Sequence, residues 1–378
     1  MKEASKFKLT SVFRYIGDAA FYPFFALYLA SIGKSTAQIG MVLMIMPLVA
    51  IFINPLWTFL LKNVNYNRIF MTIMMLFEAL GIFLLLHVTS MPHIILVTIL
   101  IAVAGQPIYI LLDGFTTVFA IEEDIPYISI RLYGAVGYAI GVLMTGFFSE
   151  QIGFNVAYYI AIGVMIVSSL TVLWIRPLNI KDDKELMEKV DFLKLLKNPK
   201  FWLMASFMMV TLGTIFVSDS YLGVYFESRG IGKDIYGVIT FVTVILEVAV
   251  MLFIAKFSNK FKLKIVSVVI VVSMSLRYIM LGFELPIWVA ILSNLFRPLA
   301  VGLLFYILVE YVSRYISKKN ITLAFVLIAS LRNLYQSGYT LFGGLFIEQN
   351  GYYSFYLIAG VISLLGFLFI DYKQKPVV

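Results

Sequence analysis

Residues 113–141 read DGFTTVFAIEEDIPYISIRLYGAVGYAIG, and this stretch decides how the whole chain is interpreted. It places one carboxylate, Asp113, and one arginine, Arg131, in apolar flanks on either side of a short acidic loop at 122–124. Asp113 lies about eight residues before the loop, or about 12 Å along a helix. Two antiparallel helices joined by this loop would bring the two charges together. Inside a membrane such a pair predicts a functional site, because an unpaired charge there costs several kcal/mol.

The composition of the chain is that of a membrane protein. Of its 378 residues, 61% are apolar and 13% are charged, with a mean hydropathy of +0.95, whereas a soluble domain is about half apolar and about a quarter charged. Apolar runs of about twenty residues, long enough to cross a bilayer as helices, recur along the whole length. The sequence therefore predicts an all-α membrane protein with twelve transmembrane helices, at 12–32, 38–61, 68–88, 92–120, 129–149, 153–176, 200–226, 234–257, 263–283, 286–313, 320–347 and 351–372.

Positive charge is unevenly distributed between the two sides of these helices. With both termini placed inside, the inner segments hold most of the lysines and arginines, and the outer loops hold only Lys34, Arg229 and Lys233. This asymmetry follows the positive-inside rule and predicts a multi-pass protein of the cell membrane with both termini in the cytoplasm. It also accounts for the net charge of +8 without nucleic acid as a partner.

The chain offers little material for catalysis. It contains no cysteine, which excludes disulfides and thiol chemistry. A membrane enzyme needs acids, histidines or metal ligands clustered at a membrane surface, and the sequence shows such a cluster only in the acidic loop at 122–124. We therefore expect no enzyme activity, no catalytic residue, no metal site and no cofactor.

The two halves of the chain repeat one another. Residues 129–139, SIRLYGAVGYA, match residues 330–340, SLRNLYQSGYT, so that Arg131 corresponds to Arg332. The pattern Glu-Gln followed shortly by glycine also recurs, ahead of Gly153 and ahead of Gly351. An internal repeat of this size indicates that helices one to six and seven to twelve are parallel copies.

The repeat predicts the organisation of the chain into domains. We expect an N-terminal six-helix bundle at 1–176, a cytoplasmic central loop at 177–199 and a C-terminal six-helix bundle at 200–378. The loop is dense in charge, and its interpretation as a solvated linker is favoured over an amphipathic helix with Leu186 and Val190 on one face. Parallel six-helix repeats with a substrate site near the membrane midplane between them are typical of secondary transporters.

Four further stretches carry a resemblance to a known family. FYPFFALYL at 21–29, RLYGAVGY at 131–138, NPKFW at 198–202 and LRYIMLG at 276–282, together with the spacing from Asp113 to Arg131, resemble the major facilitator superfamily. Within it they are similar to the branch of lactose permease and phenylpropionate permease. The resemblance covers essentially the whole chain. It implies the fold of that superfamily and transport by alternating access, in which two six-helix bundles rock about a central site.

The resemblance also implies substrate-binding residues. Asp113 and Arg131 match the acid and arginine that hold the sugar in lactose permease. Tyr138 matches an aromatic residue, tryptophan in the family, that stacks on the sugar ring. Gln106 matches a polar residue above the acid. On the eleventh helix a polar and aromatic face is formed at spacings of three and four residues. The expected substrate-binding residues are Asp113, Arg131, Tyr138, Gln106, Arg332 and Tyr339.

Proton coupling is expected in the second half of the chain. The resemblance implies that Asp219 on helix seven and Arg332 on helix eleven form an acid–base pair, while Glu78 lacks a motif and is expected to snorkel or to pair locally. Glu247 or Asp219 is the expected proton carrier and Asp18 the alternative. The full set of expected coupling residues is Asp219, Glu247, Arg277, Arg297 and Asp18.

The sequence departs from the lactose permease pattern at several positions. The helix-ten lysine, histidine and glutamate of that family fall on Ser293, Phe296 and Leu299, so its proton relay is missing. The sequence context of Glu247 is closer to the phenylpropionate permease side. In the loop after helix two, Lys62 stands where an acid is usual in the superfamily. This puts in doubt the contact of that loop that usually closes the cytoplasmic gate.

These patterns favour a secondary active transporter. The leading hypothesis is proton-coupled uptake of a small polar solute, such as a sugar or glycoside, by a functional monomer in the lipid bilayer. The alternatives are proton-coupled transport of an aromatic or other small organic acid or of a nucleoside, and export of a drug or metabolite.

Overall fold

The computed structural model describes residues 3–60, 64–178, 192–257, 261–317 and 320–372, and the regular structure in these ranges is entirely helical. Many large apolar side chains are exposed on the helix surfaces, as expected of helices that face lipid. A helix suits that environment because it satisfies its own backbone hydrogen bonds where no water is available. Lys62, Leu186 and Val190, on which two predictions depend, lie outside the described residues.

The described residues of the first half of the chain form eight α-helices. A 3-10 turn at Tyr22–Phe24 splits the first crossing and has a proline in its first turn. A proline ring is tolerated at a helix start but not in its interior, so the α-helix is interrupted here. The helices are α1 (Glu3–Phe21), α2 (Phe25–Ser31), α3 (Thr36–Leu43), α4 (Ile45–Leu60), α5 (Val64–Leu85), α6 (Met91–Glu122), α7 (Ile128–Gln151) and α8 (Phe154–Trp174).

The second half, where it is described, contains eight further α-helices. A π-helical turn, Met209–Gly213, interrupts the seventh crossing, and a 3-10 helix, Leu365–Phe369, follows the last α-helix. The helices are α9 (Phe192–Leu196), α10 (Pro199–Met208), α11 (Thr214–Ser228), α12 (Lys233–Phe257), α13 (Leu263–Gly282), α14 (Ile287–Ser293), α15 (Phe296–Tyr315) and α16 (Ile321–Leu364).

The predicted twelve-helix, all-α membrane fold is confirmed. Ten stretches of the described helices are long and apolar enough to cross a membrane. The last of them, Leu323–Phe369, breaks at Gly351, whose φ of 78° is non-helical, and therefore makes two crossings. The charged first segment at 3–31 adds one more, so the described chain has twelve.

The sequence repeat is visible in the turns between helices. Gly153 separates α7 from α8 with φ of 106°, and Gly351 divides α16 with φ of 78°. A positive φ is sterically easy only for glycine. The recurring Glu-Gln and glycine pattern therefore encodes the same kind of turn in both halves.

The chain folds into two compact units. The first comprises residues 1–182 and 220–244, and the second comprises residues 183–219 and 245–378. Residues 220–244 thus group with the first unit. The predicted division into bundles at 1–176 and 200–378, with a loop at 177–199, stays a prediction.

In the first unit, α1 packs on α7 and α8. Glycines on one face of α7 allow this close packing. A Cβ added at Gly137 would collide with the backbone carbonyl of Val12, and one added at Gly141 would lie 2.6 Å from the carbonyl oxygen of Ile16. These glycines bring the backbones of α1 and α7 together, as small residues do in membrane helix pairs.

In the second unit, α13 packs on α15 and α16. Gly338 on α16 corresponds to Gly137 in the sequence repeat, but a Cβ added there would meet no atom within 4 Å. The repeat therefore keeps the residue type without keeping the close backbone contact.

The two repeat-related glycines make a matched pair of tests. We expect Gly137→Ala to lower the free energy of unfolding by about 1–3 kcal/mol, because the new methyl group must push α1 from α7. Gly338→Ala should leave it unchanged or raise it by up to about 1 kcal/mol, since alanine favours the helix and meets open space. Thermal unfolding of both purified variants in detergent measures this, and an equal loss in the two would contradict the packing described for Gly137.

Candidate functional site

The first candidate site is formed by α6 and α7, as the sequence predicts. Asp113 on α6 and Arg131 on α7 approach to 3.7 Å, between Oδ1 and Nε. The Tyr127 hydroxyl donates a hydrogen bond of 3.0 Å to Asp113 Oδ1, and the Arg131 guanidinium lies over the Tyr15 ring, 4.4 Å from its centroid. The side chains of Asp113 and Arg131 are 45% and 35% exposed, so both are partly accessible.

Two more predicted residues follow the pair at the same helical spacing. Gln106 precedes Asp113 by seven residues on α6, and Tyr138 follows Arg131 by seven residues on α7. Seven residues are about two turns, which returns a side chain to the same helix face. The two helices run in opposite directions, so a residue before Asp113 on α6 and a residue after Arg131 on α7 are displaced toward the same side of the pair. Gln106 and Tyr138 are both half-buried and both lie two turns from the pair on that side. Their role in substrate binding stays a prediction.

In the second unit the structure brings four predicted residues into one ionic network. Asp219 on α11 accepts hydrogen bonds of 2.6 Å from Arg277 Nη2 and of 2.6 Å from Arg297 Nε. Arg297 Nη1 in turn donates a hydrogen bond of 2.8 Å to Glu247 on α12. Arg297 therefore bridges the two carboxylates.

Sequence reasoning missed one member of this network, Asn294. Its side-chain oxygen accepts a hydrogen bond of 3.2 Å from Arg277 Nη2, and it lies at the break between α14 and α15. The signal available in the sequence was a lone amide in an apolar run, three residues before Arg297.

The expected pair between Asp219 and Arg332 is wrong. Asp219 is already held by Arg277 and Arg297, and no carboxylate of the described residues lies within 4.0 Å of Arg332. The Arg332 guanidinium donates to the Asn333 side chain at 3.0 Å and lies over the Phe216 ring, 5.1 Å from its centroid.

The predicted polar and aromatic face of the eleventh crossing is present beside Arg332. The Tyr335 hydroxyl lies 2.8 Å from that of Thr214, and its ring centroid is 5.6 Å from that of Tyr339. Tyr339 is 7% exposed and also contacts Phe355, with ring centroids 5.8 Å apart. Arg332 Nε meets no acceptor among the described residues. This donor is buried and unsatisfied in the described part of the chain.

A third cluster of charges, around the predicted Asp18, lies inside the first unit. Arg14 and Asp18 on α1 and Glu78 on α5 are all fully buried. Arg14 Nη2 lies 2.7 Å from Asp18 Oδ1, while its other amino group makes a short ion pair with Glu78. The Tyr22 hydroxyl donates a hydrogen bond of 2.9 Å to Glu78 Oε1. Glu78 thus neither snorkels nor pairs locally, because its partner is 64 positions away in the chain.

A glycine makes the space for this cluster. A Cβ added at Gly105 on α6 would overlap Glu78 and would lie 2.7 Å from the Tyr22 hydroxyl. The Tyr109 ring, one turn further along α6, lies 5.3 Å from the Arg14 guanidinium. Sequence reasoning missed this role of Arg14, although its i, i+4 spacing to Asp18 was a readable sign of a helical ion pair.

The chain is similar to known transporters along its whole length. The model of the MFS_1 like family matches residues 6–358. An uncharacterized transporter of Bacillus subtilis, YwbF, is 22% identical over 368 residues, covering 96% of this chain and 92% of its own. The sucrose permease of Escherichia coli is 27% identical over 290 residues, covering 71% and 68%. The maltose permease of Geobacillus stearothermophilus is 21% identical, covering 94% and 91%.

Solved transporter structures share the fold. The nucleoside transporter NupG superposes with a TM-score of 0.82 at 18% identity, over 99% of this chain and 100% of that one. A D-xylose-proton symporter gives a TM-score of 0.77 at 14% identity, over 99% and 97%.

The bridging role of Arg297 is open to a direct test. We expect Arg297→Gln to destabilise the protein by about 1–3 kcal/mol, because it leaves two partly buried carboxylates with a single arginine. Adding Glu247→Gln should recover part of that loss, since the uncompensated charge is then removed. The control is Arg314→Gln, which breaks an exposed i, i+4 pair with Glu310 and should cost less than about 1 kcal/mol. Thermal unfolding in detergent gives all three values, and a smaller loss in Arg297→Gln than in the control would refute the bridge.

Proposed function

Since the chain belongs to the MFS_1 like family and is therefore a transporter of the major facilitator type, we propose that it takes up a small polar solute, a sugar or glycoside, together with protons. The observation that carries the proposal is the exposed pair of Asp113 and Arg131, 3.7 Å apart. The similarity to the sucrose permease and the maltose permease supports the same substrate class.

The chemistry of the pair suits sugar hydroxyl groups. A hydroxyl both donates and accepts, a carboxylate only accepts and a guanidinium only donates. Asp113 and Arg131 together therefore complement two neighbouring hydroxyls. Tyr127 fixes the carboxylate and Tyr15 supports the guanidinium, so that both reach a ligand in defined positions. Tyr138 supplies a ring for the apolar face of the sugar, and Gln106 supplies a further polar contact.

Proton coupling requires an acid inside the membrane that can change its protonation state during transport. Two clusters supply candidates, the network of Asp219, Glu247, Arg277 and Arg297 and the cluster at Asp18. We place the protein in the cell membrane as a monomer with both termini in the cytoplasm, in keeping with the charge distribution of its loops.

A small organic acid is the second candidate substrate. Arg332 faces no carboxylate among the described residues, and its Nε has no acceptor there. Nε and Nη1 of Arg277 likewise have no acceptor among the described residues. A carboxylate on the substrate would satisfy these donors with charge-assisted hydrogen bonds.

Ligand-induced stabilisation distinguishes the two substrate classes. We expect sucrose or maltose to raise the melting temperature of the purified protein, because a ligand at one hundred times its Kd stabilises the folded state by about 2.7 kcal/mol. Uridine and benzoate are tested beside the sugars, as a nucleoside and an aromatic acid. Arg131→Gln should abolish the sugar-induced shift, whereas Arg176→Gln should keep it, since Arg176 pairs with Glu122 and Glu123 at the loop and is 40% exposed.

A different pattern would favour the second candidate. If benzoate alone raised the melting temperature, and Arg332→Gln rather than Arg131→Gln removed the effect, the sugar proposal would be wrong.

Uptake measurements address the coupling to protons. In proteoliposomes we expect labelled sucrose or maltose to accumulate when the outside is made acidic, and an uncoupler to collapse the gradient, because the proton supplies the driving force. Accumulation that persists with the uncoupler, or that follows sodium rather than pH, would contradict proton coupling.

A further inference from the structure

The two charge clusters differ in their balance of acids and bases. In the network of the second unit, two carboxylates, Asp219 and Glu247, face two arginines, Arg277 and Arg297. With all four ionised, the network is neutral and both carboxylates are hydrogen-bonded to an arginine. It needs no proton to balance its charge.

The cluster of the first unit is not balanced. Asp18 and Glu78 face a single arginine, Arg14, and all three side chains are fully buried. In the described part of the chain no other arginine or lysine lies within 4.0 Å of either carboxylate. With both acids ionised the cluster carries one net negative charge out of contact with water, which is a costly arrangement in a low-dielectric interior.

Among the described residues, the neighbouring helices do not supply the missing charge. Tyr22 contributes a neutral hydroxyl, and Tyr109 contributes the face of its ring to Arg14. Arg131 of α7, which also packs on α1, is engaged with Asp113 and lies over Tyr15.

We propose that the cluster of Arg14, Asp18 and Glu78 is the site that holds the transported proton, and that Asp18 carries it. The inference rests on the proposed function, because it assigns the coupled proton of that transport cycle. Glu78 receives both amino groups of Arg14 and the Tyr22 hydroxyl, which stabilises it as the anion. Asp18 is contacted by one amino group, so protonation of Asp18 leaves a neutral cluster with the Arg14–Glu78 pair intact.

The surroundings favour a proton over a metal ion. The guanidinium of Arg14 lies 2.7 Å from Asp18 and would repel a sodium ion at the same oxygen. Among the described residues no group of three or more histidine, aspartate or glutamate side chains is arranged to hold a metal. A proton needs only the carboxylate oxygen itself.

The site is also linked to the proposed substrate pair through aromatic contacts. Arg14 and Asp18 are on α1, whose Tyr15 lies under Arg131. Tyr109 of α6 contacts both Tyr15 and Tyr22, with ring centroids 6.0 and 6.4 Å apart, and precedes Asp113 by four residues. A change in charge at Asp18 thus acts on α1, whose Tyr15 lies under Arg131, and on α6, which carries Asp113 and whose Tyr109 lies beside Arg14.

Infrared spectroscopy tests the proposal without any substrate. At a pH of about 8, exposed carboxylates are ionised, and we expect the detergent-solubilised protein to retain one carbonyl band of a protonated carboxylic acid. Asp18→Asn should remove the band. Glu78→Gln should also remove it, because one acid and one arginine then balance. Asp219→Asn and Glu247→Gln are the matched controls and should keep it.

Several results would overturn the proposal. These are absence of the band from the unmodified protein, its survival in both Asp18→Asn and Glu78→Gln, or its loss in either control variant. Melting temperatures show whether each variant is folded, and the two independent substitutions at the cluster keep the test decisive if one of them fails to fold.

Transport gives the second readout. In proteoliposomes, Asp18→Asn should lose proton-driven accumulation of labelled sucrose or maltose while keeping exchange of the same sugar across the membrane. Proton-driven accumulation that persists in both Asp18→Asn and Glu78→Gln would refute the assignment. If the unmodified protein transports neither sugar, the proposed substrate is wrong, and the infrared result still decides where the proton resides.

Discussion

The structure depends on one constraint, that a charge surrounded by hydrocarbon must find a partner of opposite sign. The charges buried among the helices meet it in different ways. In the second unit, Arg297 serves two carboxylates at once, at 2.6 and 2.8 Å. In the first unit Arg14 is shared by two acids. Asp113 and Arg131 are held more loosely, at 3.7 Å, and remain partly exposed. The tighter clusters join separate helices, and the looser pair leaves its side chains partly exposed.

Much of the fold could be read from the sequence. Apolar runs of the length of a bilayer gave the twelve crossings, because hydrophobic length is imposed by the membrane itself. The short loop at 122–124 indicated that α6 and α7 run in opposite directions, and with it the approach of Asp113 to Arg131. The residues expected to couple protons in the second half do form one network, although the sequence could not say which arginine meets which acid.

The missed features are contacts between distant parts of the chain. Glu78 lies 64 residues from Arg14, and nothing local to either residue indicates the other. Asn294 is drawn into the network only because α14 ends beside Arg277. The resemblance assigned Arg332 as the partner of Asp219, but here Arg297 takes that place. In each case the tertiary position of a polar group, rather than its helix periodicity, decided its partner.

The glycine at position 105 has a consequence for how relatives of this protein vary. Its missing side chain is the volume into which the Glu78 carboxylate and the Tyr22 hydroxyl fit. Positions 78 and 105 are therefore sterically linked across two helices. A larger residue at 105 would force the Glu78 carboxylate and the Tyr22 hydroxyl to move. We therefore expect positions 78 and 105 to vary together in relatives that keep a two-acid, one-arginine centre.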